Sequence, residues 1–287
     1  MTRQEMYESI YTHDTIYIPP HEEDYPGLEV ALGCSWHKCR FCDFARDEFK
    51  IHPLDKIEYN VKTLGQLQPD TERLFLLGEN PFVMDTDYLC QIIDLVEKYM
   101  PNVTRLSTYA RVDDILRKSD EELALLRSRN LKALHIGVES GSDSILAMHK
   151  KGITADQTVK ALKKLDKAGI DYYVTVVMGL GGRRLSKIHA LETAAMLNQT
   201  NPVNIWCIKL ILWENTPLWQ DAQNGIFDMM TPAEMLLEER LLIKNLNLTN
   251  CLFEDTTVLD KYTIQGNLPE QKQQLINAID YLLTAAK

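Results

Sequence analysis

Six strand-like segments, each followed by a helix-like one, alternate from about Leu28 to Trp213, and this alternation narrows the possible folds more than any other property of the chain. The strand candidates are Leu28–Leu32, Arg73–Leu77, Arg105–Tyr109, Lys132–Val138, Tyr172–Met178 and Asn204–Leu212. Several are near-continuous apolar runs, as expected of parallel strands covered on both faces. Between them, Asp87–Met100 sets Ile92, Leu95, Val96 and Tyr99 at helical spacing. Ser119-Asp-Glu-Glu122 and Thr154-Ala-Asp-Gln157 read as capping boxes that open two more helices, and Gly169 supplies a helix stop. Thr231-Pro232-Ala-Glu234 opens a later helix, with proline in its first turn. Repeated β–α units imply a parallel sheet, doubly wound or barrel-like. Polar clusters follow each strand, and in barrels function gathers at the C-terminal strand ends, which favours a barrel or partial barrel with one mouth. On this reading residues 1–27 are an N-terminal extension, 28–215 the barrel, and 216–287 a C-terminal helical extension closing it.

The 287 residues are 45% hydrophobic and 25% charged, enough apolar content for a large core. The formal net charge is −10, and no Lys/Arg block exceeds two residues, which argues against nucleic acid and for a small-molecule substrate. No apolar run approaches the roughly 18 residues of a membrane span. The N-terminus lacks a secretory pattern, so six cysteines suit a reducing compartment and a cytoplasmic location is expected.

Three of those cysteines, Cys34, Cys39 and Cys42, follow the first strand with the spacing C-x4-C-x2-C. Three soft thiolates on one loop suit three corners of a four-iron, four-sulfur cubane and leave the fourth iron open to a ligand. A zinc site is the alternative, with His37 as a possible fourth ligand, although structural zinc sites usually pair two short knuckles and no second one exists here. Incidental thiols are the third reading. Cys90, Cys207 and Cys251 read as small buried hydrophobes.

The other strand ends carry weaker signals. Gly78-Glu79-Asn80-Pro81 offers close backbone approach and carbonyls for a cationic amine, or is a plain turn. Arg111, after Ser107-Thr108-Tyr109-Ala110, suits a bidentate grip on a carboxylate, or is a surface residue. Glu139, in Gly137-Val138-Glu139-Ser140-Gly141-Ser142, can accept from both hydroxyls of a ribose. Lys150 or Lys151 could reach a carboxylate; a solvated helix end is the alternative for these and for Glu139. Met178-Gly179-Leu180-Gly181-Gly182 lacks a phosphate-loop spacing and reads as backbone shaped to pass a flat ring. The sixth strand brings Lys209, Ile211, Trp213 and Glu214 towards the mouth.

Taken together these residues resemble the radical S-adenosylmethionine superfamily over roughly Leu28–Thr216. The resemblance implies a partial (β/α)6 barrel, a [4Fe–4S] cluster on Cys34, Cys39 and Cys42, and S-adenosylmethionine beside it, reductively cleaved to a 5′-deoxyadenosyl radical that takes hydrogen from the substrate. It places Phe41 against adenine, Gly78-Glu79-Asn80 at the methionine amine and Glu139 at the ribose. Ser107, Arg111, Ser140, Lys151, Met178 and Ile211 complete the implied cofactor site. Two departures stand out: the first cysteine gap is one residue longer than the common C-x3-C-x2-C, and Leu77 replaces the first glycine of the family's glycine-glycine-glutamate element. Within the superfamily the short chain and its spacing resemble the queuine lyases, which release the aminomethyl deazaguanine precursor from queuine. That implies Asp43, Asp47, Lys209, Trp213 and Glu214 as substrate contacts, and a flavodoxin or ferredoxin as electron donor.

Overall fold

A computed structural model describes residues 2–13, 17–44, 47–259 and 262–285. The chain divides into two compact units. The first comprises Met1–His37, Phe44–His135 and Lys167–Asp171; the second comprises Lys38–Asp43, Ile136–Asp166 and Tyr172–Lys287.

In the first unit, β1 (Gly27–Glu29), β2 (Arg73–Leu77) and β3 (Arg105–Ala110) lie side by side, all parallel. Leu28 stands opposite Leu76, and Phe75 opposite Ser107. Helices α1 (Leu54–Leu67), α2 (Thr86–Tyr99) and α3 (Asp120–Ser128) supply their apolar stripes to the same core. Leu28, Ile57, Val61, Leu64, Phe75 and Ile92 are fully buried there, each worth roughly 1.5–3 kcal/mol of transfer free energy. The capping box that opens α3 is formed: the Glu122 amide donates to Ser119 Oγ at 3.1 Å, and the Ser119 amide donates to Glu122 Oε2 at 2.7 Å. The expected first strand, Leu28–Leu32, is in fact split. After Glu29 the chain leaves β2, and Ala31–Leu32 pairs antiparallel with Lys50–Ile51. This turns the chain into the cysteine loop.

Strand β4 (Leu131–Glu139) carries the chain from the first unit into the second. There follow α4 (Ala155–Ala168), β5 (Asp171–Met178), α5 (Gly182–Leu197) and β6 (Asn204–Lys209). Gly169, at φ +70°, ends α4 where a glycine stop was expected. The tail adds α6 (Pro232–Asn245), β7 (Cys251–Leu259), β8 (Tyr262–Leu268) and α7 (Lys272–Ala285). Strand β6 lies parallel between β5 and β7, with Cys207 opposite both Val176 and Asp255, and β7–β8 is an antiparallel hairpin. The tail is therefore not purely helical as expected. Its hairpin extends the sheet beyond β6, which satisfies the backbone groups of what would have been an edge strand. The sixth strand also stops at Lys209 rather than Leu212. Among the described residues no helix is long and apolar enough to cross a membrane.

Candidate functional site

The cysteine loop passes from the first unit into the second between His37 and Lys38. On the first-unit side, Gly33 takes φ +67°, and a Cβ there would lie 2.5 Å from the Asp47 carbonyl oxygen, so glycine is required just before Cys34. The next residue is clamped by a side chain from the end of β2. Asn80 Oδ1 accepts the Ser35 amide at 3.0 Å, while Asn80 Nδ2 donates to Ser35 Oγ and to Asp114 Oδ2, both at 2.9 Å. Asn80 and Asp114 are each 1% exposed. Burial pushes the Asp114 carboxyl above its ordinary range, against the hydrogen bond from Asn80 and the nearby Arg117. Trp36 lies over the Arg111 guanidinium, 4.9 Å from Cζ to the ring centroid, and Arg111 stands 3.0 Å from Asp113.

The remaining first-unit candidates sit close by in sequence but differ in surroundings. Gly78 has φ +141°, and a Cβ would come within 3.0 Å of the Ala31 carbonyl oxygen and of Pro81. Glu79 is part-buried, its Oε2 lacks a hydrogen-bond partner, and burial raises its carboxyl. Ser107 is buried and bonds Glu22, which His135 and Arg73 hold below the usual carboxylate range against its burial. Asp47 pairs with His13 at 2.8 Å.

In the second unit, Lys38–Asp43 is held by backbone as well as side chains. The Arg40 amide donates to the His149 carbonyl, and the Arg40 carbonyl accepts from the Leu218 amide, each at 3.0 Å. The Arg40 guanidinium pairs with Asp221 at 2.7 Å. Phe41 packs on the apolar cluster of Ile145, Val177, Leu180, Leu210, Leu218 and Phe227 and meets His149 edge-on. His149 donates Nε2–H to the Leu180 carbonyl at 2.8 Å, and burial lowers its imidazole to about 4, so the ring is neutral near pH 7. Glu139 has φ +62° and pairs with Lys151 at 2.8 Å. Ser140 is fully buried, its Oγ accepting from the Ser142 amide at 3.0 Å. Met178 is fully buried at the end of β5, and Gly179 follows at φ +85°. Lys209 and Trp213 are part-buried, as is Asp43, whereas Ile211 and Glu214 are exposed.

The structure thus joins Glu139 to Lys151 and sets Asn80 and Arg111 against the cysteine loop itself, Asn80 through Ser35 and Arg111 through Trp36. Arg40, Asp114, His149 and Leu218 also shape the loop and were not singled out from the sequence. No spacing rule marks a residue whose partner lies tens of positions away, and Arg40, which sits between two of the cysteines, was the one open to suspicion. Among the described residues, no three His, Cys, Asp or Glu side chains converge as they would on a single ion. A four-iron cubane asks for a wider arrangement, with one thiolate on each of three irons. The donor set fits that group in kind: three part-exposed thiols on one nine-residue loop, none in a disulfide.

A family model described as the Radical SAM superfamily matches residues 28–196. The heme chaperone HemW of Bacillus subtilis (strain 168) is 22% identical over 173 residues, covering 56% of this chain and 45% of its own length. The tRNA-2-methylthio-N(6)-dimethylallyladenosine synthase of Methylacidiphilum infernorum (isolate V4) is 24% identical over 205 residues, covering 66% and 42%. The chain thus spans less than half the length of these curated relatives. Among solved structures, the cobalamin-dependent S-adenosylmethionine radical enzyme OxsB superposes with a TM-score of 0.59 at 14% identity, over 90% of this chain and 45% of that one. Methylornithine synthase (PylB) gives 0.54 at 16% identity, over 78% and 64%. These likenesses establish the fold as an α/β partial barrel of the radical SAM type with extensions.

Proposed function

Since this chain belongs to the Radical SAM superfamily, we propose that it is an enzyme that reductively cleaves S-adenosylmethionine and takes a hydrogen atom from a small molecule. Cys34, Cys39 and Cys42 would hold a [4Fe–4S] cluster, which when bound supplies the electron that splits the sulfonium. The observation that carries this reading is the way the loop is fixed. Ser35 and Arg40, each next to a cysteine, are tied down by buried or backbone partners while all three thiols stay part-exposed.

The other roles follow from the chemistry of each group. Asn80 holds the loop by its side chain, which leaves the backbone of Gly78 and Glu79 and the unpartnered Glu79 oxygen to receive an ammonium group. Arg111 and Lys151 are the cations for a carboxylate, and Ser107, within β3, is a further polar candidate. Glu139 accepts ribose hydroxyls beside Ser140. Phe41 and Ile211 offer apolar surface for adenine, with Met178 and Gly179 at the end of β5 as the further candidates. Asp43, Asp47, Lys209, Trp213 and Glu214 are the substrate candidates. The net charge of −10 supports a small molecule rather than nucleic acid, and a flavodoxin or ferredoxin would serve as reductant. The barrel region, residues 28–215, carries the chemistry, and the tail packs beside its last strand.

The finer reading is queuine lyase, for which the C-x4-C-x2-C spacing is the support. Both levels are tested in one experiment: anaerobic incubation of reconstituted protein with dithionite, S-adenosylmethionine and queuine, followed by mass spectrometry. Deoxyadenosine together with the shortened base is expected. Deoxyadenosine alone keeps the chemistry and discards the substrate; neither product, or cleavage retained in Cys34→Ala, rejects the assignment of the loop.

A further inference from the structure

A helix of the tail ties together two of the strand ends that carry the proposed cofactor contacts. Glu238 on α6 and His189 on α5 are each 1% exposed. Glu238 Oε1 accepts the Gly179 amide at 2.7 Å and faces His189 Nδ1 at 3.1 Å. On the far side of the ring, His189 Nε2 lies 3.1 Å from the backbone carbonyl oxygen of Glu139. A carbonyl only accepts, so Nε2 carries the hydrogen. Glu139 itself sits at φ +62°, a region that a long L side chain seldom occupies unless its surroundings impose it. Its carboxylate folds back over Gly137, where an added Cβ would overlap Oε1, and meets Lys151 Nζ. The direction of this side chain is thus set by an unusual backbone conformation, and the carbonyl of that same residue is held by His189, which Glu238 orients.

Resting on the reading of Glu139 as the ribose carboxylate, we propose that Glu238 and His189 are positioning residues for it. They fix the backbone of Glu139 so that its carboxylate is presented to the two ribose hydroxyls of S-adenosylmethionine. Through them the tail helix controls affinity for the nucleoside part of the cofactor.

The test compares variants reconstituted anaerobically, with iron content and melting temperature measured for each. Dissociation constants for S-adenosylmethionine are then taken by equilibrium dialysis without reductant. Glu139→Gln is the control on the ribose reading; unchanged affinity there removes that reading and this proposal with it. His189→Leu deletes the donor to Glu139 and is expected to weaken binding about tenfold at wild-type iron content, the scale of one buried hydrogen bond. His189→Gln, which keeps an N–H to donate, restores most of the affinity. Glu238→Met, which removes the carboxylate that accepts from the Gly179 amide and faces His189 Nδ1, weakens binding as His189→Leu does. If the leucine variant does not fold, His189→Asn takes its place, polar but too short to reach from Glu238 to the carbonyl. The decisive readout is the double variant. Placed in the Glu139→Gln background, the His189 substitution should add less than about twofold, because its effect runs through a carboxylate already neutralised. Additive losses overturn the positioning role, as does wild-type affinity in the His189 variant where Glu139→Gln binds weakly.

Discussion

Glu239→Gln changes one atom of a buried side chain and should alter how the stability of the protein depends on pH. Glu239 follows Glu238 on α6 and is fully buried, facing the Asp255 carboxyl. Asp255 on β7 and Cys207 on β6 interact with it; Lys209 in turn acts on Asp255, and Cys251 and Glu238 on Cys207. Burial first, and Asp255 second, push the Glu239 carboxyl well above the ordinary range, which favours its protonated form in the fold. The sign follows from proton counting. Above the ordinary carboxylate pKa of roughly 4.3 the unfolded chain releases this proton and the folded chain keeps it. Stability therefore falls as pH rises, by about 1.4 kcal/mol per pH unit for one proton, until the folded carboxyl itself ionises. Glutamine carries no titrating proton. Between pH 5 and pH 6, just above the ordinary carboxylate range, the stability difference should move in favour of Glu239→Gln by up to about 1.4 kcal/mol. Urea unfolding of both proteins at the two pH values measures this directly. Parallel losses in the two proteins would show that Glu239 is ionised in the fold and that the proton count is wrong.

Gly137→Ala should push Glu139 off Lys151, since the new methyl group would overlap Glu139 Oε1 and lie 3.2 Å from Lys151 Nζ. Equilibrium dialysis should show roughly tenfold weaker S-adenosylmethionine binding, the loss of one charge-assisted contact, with iron content unchanged. His149 gives the opposite pH slope to Glu239. Burial lowers its folded pKa to about 4, so the unfolded chain takes up a proton below about 6.5 that the folded chain refuses, and stability falls as pH drops between those values. His149→Gln, which keeps a donor for the Leu180 carbonyl, should remove about 3 kcal/mol of that acid-side loss in urea titrations between pH 6.5 and pH 4. Asn80→Ala takes the acceptor from the Ser35 amide and the donor from Asp114 Oδ2, which leaves Asp114 with Arg117 on its other oxygen. A loss of about 1–3 kcal/mol in unfolding free energy is expected, together with slower uptake of iron on reconstitution.

The parallel strands and the helix starts were legible because their causes are local. Leu74–Leu77 is an unbroken apolar run within β2, Ser119 and Thr154 form the reciprocal caps that their spacing announced, and Thr231 caps the later helix in the same way. The tail hairpin was not read, for two different reasons. In β7 the pair Glu254-Asp255 interrupts the apolar run, although both residues are buried, and burial of a carboxylate is a tertiary fact that no pattern displays. In β8 the signal was present: Ile264, Gly266 and Leu268 alternate with exposed neighbours at the period of a strand. At the site, the cysteines and Glu139 were visible by spacing and motif, whereas Asp114, His149 and Glu238 act through partners 31 to 59 residues away. Asn80 was located correctly at the end of β2, but its side chain turns to Ser35 and away from the backbone role first given to its segment.

The extra residue in the first cysteine gap has a place in this geometry. Ser35 is fixed by Asn80, Trp36 by Arg111 and Arg40 by the His149 carbonyl and the Leu218 amide. Between Trp36 and Cys39 lie only His37 and Lys38, and His37 adopts φ +47° while its side chain is exposed. One residue in the left-handed region reverses the local direction of the chain inside the longer gap. Such a residue tolerates glycine or asparagine, but a β-branched side chain there costs roughly 1–2 kcal/mol. Because the histidine side chain is exposed, its removal by itself should matter little. His37→Gly and His37→Asn should therefore bind iron on reconstitution as the wild type does, while His37→Val should take up less and melt earlier. Equal iron content and melting temperature across the three variants would mean that the loop absorbs its extra residue elsewhere.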